Sequence, residues 1–222
     1  MKNSLLGAIL GLAILGLATP QQASAIPMLR ISDGTTTITI TDNLAGDNLA
    51  APGVISFSGA IGTFTASVAI GSTKPADGTA TDAQLHVTSF LVSSSTGGTL
   101  TVEFTETDFS FPVANSFVSS HGGSGDGTRT FSTFFDAGNT PFAQSTSLGV
   151  LGPFTGTSGG SITSGLVGPD TAFSLTGVAV ITHTGSGTTS LDADIKPVPE
   201  PSSMLLLGSG LVGLGLWRKF KK

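Results

Sequence analysis

The sequence predicts an all-β fold for its central part: an antiparallel β-sandwich of jelly-roll-like type, flanked by an N-terminal signal peptide and a C-terminal short transmembrane helix. Three observations predict it. Between residues 26 and 197 the chain favours Thr, Ser, Gly, Val, Ile and Phe over Lys, Glu, Gln and Arg, a usage that suits pleated strands and disfavours helix. No stretch there shows a 3.6-residue apolar period, while alternating runs are common. Turn signals such as Asp33-Gly34, Asp77-Gly78 and Ser93–Gly98 punctuate those runs.

Thr35–Thr41 (TTTITIT) is the first expected strand, entered through Asp33-Gly34. After a loop over 42–52, Val54–Ser58 and Phe64–Ile70 follow, separated by Gly59 and Gly62. Residues 71–83 read as a loop and Gln84–Val92 as a largely apolar strand. The turn after it suggests a hairpin pairing 84–92 with 99–109. In Leu100–Phe111, Leu100, Val102 and Phe104 share one parity, and Phe109 and Phe111 have the other. One extra residue near Thr105-Glu106 reconciles them, so a β-bulge is expected there. His121–Gly127 (HGGSGDG) reads as a loop and Thr128–Phe135 as a Phe-rich strand. Ala137–Gly165 reads as irregular, with one strand near Leu148. Thr171–His183 is the clearest strand; in Thr188–Ile195, Leu191, Ala193 and Ile195 face one way and Asp192 and Asp194 the other. Eight to ten short strands of this kind point to a sandwich or jelly roll.

The two ends differ in kind from this middle. Lys2, the 13-residue apolar run Leu5–Leu17 and the A-x-A site Ala23-Ser24-Ala25 make residues 1–25 a secretory signal peptide, cut by signal peptidase after Ala25. At the other end, Pro199-Glu200-Pro201 is followed by a 14-residue uncharged run, Met204–Trp217, and by Arg218, Lys219, Lys221 and Lys222. As a helix that run spans about 21 Å, short of a bilayer core of about 30 Å. Tilting shortens the span further, whereas snorkelling basic side chains lengthen it. The basic end favours a cytoplasmic C-terminus. The prolines keep the tripeptide extended and accessible. A plain tail anchor is the alternative reading of this segment.

The ordered combination of Val198-Pro199-Glu200-Pro201-Ser202, a Leu/Gly-rich span and a basic end resembles the PEP-CTERM sorting signal of bacterial exosortase substrates. It covers about 25 of the 222 residues and departs from the usual pattern in the interruption of the basic end by Phe220. The resemblance implies an exported protein of a Gram-negative bacterium. It would be held transiently in the inner membrane, cut near the motif by a membrane-embedded exosortase, and passed to the cell surface or exterior in company with exopolysaccharide. The chain thus divides into a signal peptide (1–25), a secreted β-sandwich (26–196) and a sorting signal (197–222).

Composition limits what the secreted part does. It has four basic residues against thirteen acidic ones, a net charge of −9. That argues against nucleic acid and against electrostatic capture of acidic polysaccharide. With no cysteine, disulfides and thiolate chemistry are excluded. No Gly-x-Ser-x-Gly elbow occurs; Gly159-Gly160-Ser161-Ile162-Thr163 lacks its second glycine. His86, His121 and His183 lack metal-site spacing. Glu103, Glu106 and Asp108 read as a solvated acidic strand rather than a glycosidase pair, with Glu103 facing water and Glu106 and Asp108 sharing a face beyond the bulge. The metal candidates are Asp42 and Asp47, whose Asx-rich loop has the oxygen ligands Ca²⁺ takes, although Asx residues also form ordinary turns. Thr-x-Thr triplets are too irregularly spaced to match an ice lattice. The expectation is a non-enzymatic surface or matrix protein without cofactor. The alternative is an extracellular glycan-binding module or glycan-active enzyme of jelly-roll type. The Trp and Tyr platforms common in sugar sites are missing from this part of the chain.

Overall fold

The computed structural model describes residues 26–198. The expectations for Ala23, Ala25, the tripeptide Pro199–Pro201, the short transmembrane helix and the basic end lie outside the described residues. Twelve strands follow in order: β1 (Met28–Ser32), β2 (Thr37–Thr41), β3 (Val54–Ile61), β4 (Phe64–Ser72), β5 (Leu85–Ser94), β6 (Gly98–Phe111), β7 (Phe117–Gly125), β8 (Thr128–Asp136), β9 (Thr146–Phe154), β10 (Ser158–Thr163), β11 (Asp170–His183) and β12 (Gly187–Pro197). Among the described residues no helix is long and apolar enough to cross a membrane.

Two six-stranded antiparallel sheets face each other, in the orders β2-β1-β6-β11-β8-β9 and β10-β7-β12-β5-β4-β3. Strand order identifies the winding. β5 pairs with β12, β6 with β11, β7 with β10 and β8 with β9, which is one long antiparallel ribbon folded at the β8–β9 connection and rolled into two sheets. This is a jelly roll, and β1–β2 and β3–β4 extend it by one hairpin per sheet.

Several expectations need correction. β5 and β6 do not form a hairpin: residues 95–97 carry the chain from one sheet to the other. His121–Gly125 is strand, not loop, because β7 is enclosed by β12 and β10. Its glycines suit that crowding, since a Cβ at Gly123 would lie 2.2 Å from the Ser190 carbonyl oxygen. The stretch 137–165 holds β9 at the strand expected near Leu148, but also β10, which, like β1, was not anticipated. β10 is an edge strand exposed along nearly its whole length, and β1 has only five residues in which to display its alternation.

The bulge is present, two residues beyond its expected place. Glu106 lies opposite Leu175 and Phe109 opposite Phe173, so Thr107 and Asp108 together face Ser174 alone. Asp108 takes up the extra length at φ 57°. The shift returns Phe109 and Phe111 to the interior, beside Leu100, Val102 and Phe104. Phe173 then sits among the rings of Phe135, Phe111 and Phe109, with centroids 4.8, 5.0 and 5.7 Å away.

Because twelve antiparallel strands alternate in direction, Ile26 and Val198 emerge at the same end of the sandwich, which we call the tail end. The connections 42–53, 73–84, 112–116, 137–145 and 164–169 lie there as well.

Phe173→Ala should lower stability by about 3–5 kcal/mol, read from the urea midpoint of the mature chain. A loss under about 1 kcal/mol would show that the ring cluster is not a main support of the fold.

Candidate functional site

An open cleft of about 970 Å³ lies at the tail end, and its lining includes Ile26, Asp42, Asn43, Lys74, Thr79 and Asp108. The loops after β2 and β4 form its walls. Gly53 (φ 81°) lets them touch, since a Cβ there would lie 2.6 Å from the Lys74 carbonyl oxygen.

Lys74 reaches from its loop into the end of the core. Its ammonium lies 3.4 Å from Glu106 Oε1 and 3.8 Å from the Phe109 ring centroid, and it donates to the Thr107 carbonyl. Glu106 is fully buried, and neither carboxylate oxygen accepts a hydrogen bond. Burial pushes the Glu106 carboxyl up from an ordinary 4.5 to about 7, and the attraction of Lys74 offsets only part of that rise. Burial likewise pulls Lys74 below its usual range, with Glu106 and Asp108 opposing it.

The expected acidic face is therefore dismantled. Glu103 does not face water: it is buried, ion-paired with Arg30 and bonded by the Gln144 amide at 3.2 Å. The Arg30 guanidinium carbon in turn lies 4.2 Å from the Phe142 ring centroid. Glu106 and Asp108 do not share a face. Glu106 enters the core, whereas Asp108 lines the cleft, where its N–H donates to Asn139 Oδ1 (2.8 Å) and its Oδ1 accepts from Asn139 Nδ2 (2.7 Å). The 137–145 loop thus folds over one outer sheet face. Its Phe142 N–H donates to Thr105 Oγ1 (3.2 Å), and Thr105 and Thr176 are sealed beneath it.

Both Ca²⁺ candidates lie in the loop after β2. Asp47 is committed to the backbone: Oδ2 accepts from the Asn43 N–H, and Oδ1 from those of Leu49 and Ser56, each at 3.0 Å. Asp42 lines the cleft. Its Oδ2 accepts from the Gly53 N–H at 2.9 Å, and its Oδ1 is buried without a partner. Among the described residues no group of three or more His, Asp or Glu is placed to hold a metal.

The histidines lie apart. His86 Nε2 is 3.3 Å from Asp194 Oδ1, and His183 Nε2 is 2.7 Å from Thr189 Oγ1. His121 stacks on Phe154 with ring centroids 5.3 Å apart. Burial holds it below its usual value, and Arg129 adds to the effect. Arg129 is itself fully buried, and its Nη2 donates to the Gly123 and Gly156 carbonyls and to Ser158 Oγ at 3.2, 2.7 and 3.0 Å. It fastens β7 to the β9–β10 turn.

The residues that sequence reasoning did not single out are Lys74, Asn139, Phe142 and Gln144. For Lys74 a signal existed: it is one of only four basic residues between 26 and 196, and it sits mid-loop. The other three act through long-range loop closure that no local pattern records.

Fold and tail together define a class: an exported antiparallel jelly-roll domain joined directly to a C-terminal sorting segment. Residues 197–219 match the family described as PEP-CTERM protein-sorting motif. The chain thus carries a PEP-CTERM sorting motif at residues 197–219, and the motif indicates an exported protein sorted via the membrane and processed by an exosortase. No curated protein matches the chain. Solved structures similar to it include the xylan-binding domain from CBM 22, at 18% identity over 69% of this chain and 96% of that one, with a TM-score of 0.30. TmCBM61 in complex with β-1,4-galactotriose matches at 13% identity over 60% and 90%, with a TM-score of 0.29. The bacteriophage CBA120 tailspike protein 4 domain matches at 15% identity, with a TM-score of 0.29; the match covers 58% of this chain and only 20% of that one. Likenesses this distant carry no argument about ligand or activity.

Glu106 keeps its proton in the fold up to about pH 7, and in the unfolded chain only to 4.5. The folded state binds the extra proton between those values. The stability this confers is complete below pH 4.5 and is lost as pH rises through 7, by on the order of 3 kcal/mol. Glu106→Gln removes that dependence. Its melting temperature should therefore gain on the native chain's between pH 4.5 and 7.5, and parallel melting curves would rule the assignment out.

Proposed function

We propose that residues 26–198 form a non-enzymatic surface or matrix domain, released to the cell surface or exterior of a Gram-negative bacterium, where it accompanies exopolysaccharide. The observation that carries this reading is the junction between fold and tail. β12 runs to Pro197, the Val198 N–H donates to the Ser116 carbonyl at 2.8 Å, and the Pro-Glu-Pro tripeptide starts at the next residue. Cleavage at or after the tripeptide leaves every strand whole, so the sandwich is the product that the sorting tail delivers.

Two features support a structural rather than a chemical role. The cleft's lining includes Asp108 but not Glu106, so the raised carboxyl does not open into the same space as its neighbour. The connections opposite the tail end, 33–36, 62–63, 95–97, 126–127, 155–157 and 184–186, contain only Asp, Gly, Ser and Thr. Such a hydroxyl-rich, uncharged-to-acidic surface suits neutral hydrated glycan and repels acidic glycan. The cleft itself favours the second reading, a glycan-binding module, because Asp42, Asn43, Thr79 and Asp108 place polar groups around one concavity.

Intact-mass analysis of the exported protein in its native host should show loss of residues 1–25 and of the segment after Pro201 or close to it. A membrane-bound product that retains Lys222 would overturn the sorting reading. On a glycan array the mature domain should show no saturable ligand. Specific binding that Asp108→Ala abolishes would replace the leading reading with the second.

A further inference from the structure

The two ends of the sandwich differ in a way that processing alone does not require. The connections at the far end carry no apolar side chain. The tail end exposes Leu166, Leu44, Val113, Ile26 and Leu49 at 73, 61, 52, 46 and 40%. These are five of the eight large hydrophobic side chains exposed among the described residues, and the other three (Leu91, Val150 and Ile162) lie within strands. Val113 and Leu166 stand on two connections that are paired with each other. Asn115 and Val167 exchange backbone hydrogen bonds of 2.9 and 2.8 Å, which holds their two loops together beside the Ser116–Val198 bond where the tail departs.

Tail length says what meets this end. Val198 and Met204, the first residue of the apolar run, are six positions apart. Fully extended, six residues reach about 20 Å, less than the roughly 24 Å across a sheet of six strands about 4.8 Å apart. With the apolar run in a bilayer, the tail end has little room to stand clear of the membrane. Exposed aliphatic side chains in that position gain by entering the interfacial layer. The charge at this end selects the lipid. Asp42, Asp47, Asp77, Asp82, Asp136 and Asp170 lie in or next to its connections, against Lys196, the Ile26 α-ammonium of the mature chain, and Lys74, which is turned inward to Glu106. An acidic rim of this kind is repelled by anionic headgroups.

We infer that, before the tail is cut, the tail end of the domain docks on a zwitterionic lipid surface through Val113 and Leu166, with Leu44 and Ile26 alongside. The domain is then held upright, with its Gly/Ser/Thr end pointing away from the membrane. This rests on the sorting reading of the tail, because without membrane insertion nothing brings that end to lipid.

The lack of cysteine makes single-site labels clean. The chain 26–222 is reconstituted in phosphatidylcholine vesicles with and without brominated acyl chains, and the vesicle-bound fraction is isolated by flotation. An environment-sensitive fluorophore is placed in turn at Val113→Cys, Leu166→Cys, Leu44→Cys, Ser209→Cys and Gly185→Cys, the last being a far-end site with open space around it. Expected are losses of fluorescence to bromine at 209, 113, 166 and 44 and none at 185. Adding Val113→Ser and Leu166→Ser to the Leu44-labelled chain should restore its fluorescence. Quenching at 209 without quenching at 113 and 166 overturns the docking, as does quenching at 185 or quenching at 44 that survives the serine pair. An unquenched 209 label overturns the sorting reading instead.

Discussion

The pairing of β6 with β11 is the constraint on which the rest of the structure depends. Both strands have 14 residues, and they pair from Gly98–His183 to Phe111–Asp170. β11 is flanked by β6 and β8, so their sheet is built outward from it. The register also sets where the interior begins. Without the extra residue at Thr107–Asp108, every side chain beyond it would change faces, and Phe109 and Phe111 would leave the ring cluster around Phe173. The bulge serves the tail end as well, because it turns Asp108 outward to Asn139 and the cleft while Glu106 stays inside.

With no disulfide to help, a chain that is 10% charged still buries a cationic side chain in two places, and they are solved differently. Lys74 has a carboxylate and an aromatic face. Arg129 has only carbonyls and a hydroxyl, and its Nε and Nη1 are buried without partners. Neither arrangement is an efficient source of stability, since desolvation of buried ions commonly exceeds their attraction. Both do link elements that are far apart in sequence: the β4–β5 loop to β6, and β7 to the β9–β10 turn. They specify which loop closes on which strand.

What was legible in the sequence follows the same division. Leu191–Ile195, buried on one face, carries its own period; Thr171–His183 is legible from its β-branched and aromatic residues although both its faces are covered from Phe173 to Ala179; and the bulge could be found from parity alone. β7 and β10 could not, because their glycines answer to neighbouring backbone rather than to a face: a Cβ at Gly159 would lie 2.6 Å from the His121 carbonyl oxygen. Glu103 looked solvent-facing because its strand neighbours alternate properly. What buries it is a loop 34 or more residues later, through Phe142 and Gln144. The cleft was half visible, as Asp42 and Asp108 in separate stretches. Their placement at one end needs the strand count, which an estimate of eight to ten leaves open.

That count has a consequence for export. An even number of antiparallel strands returns the chain to the end where it began, so the junction after residue 25 and the junction before residue 199 lie at the same end of the domain. A protein whose two flanking segments both engage the membrane can then fold without either segment crossing the sandwich. Each can be cut without disturbing a strand, since β1 starts at Met28 and β12 ends at Pro197. Thirteen strands would have put the two junctions at opposite ends. The short tail would then have drawn the domain onto its side or pulled against its first strand. The hairpins β1–β2 and β3–β4 add two strands each to the eight of the jelly roll, so they enlarge both sheets while keeping the parity that this arrangement requires.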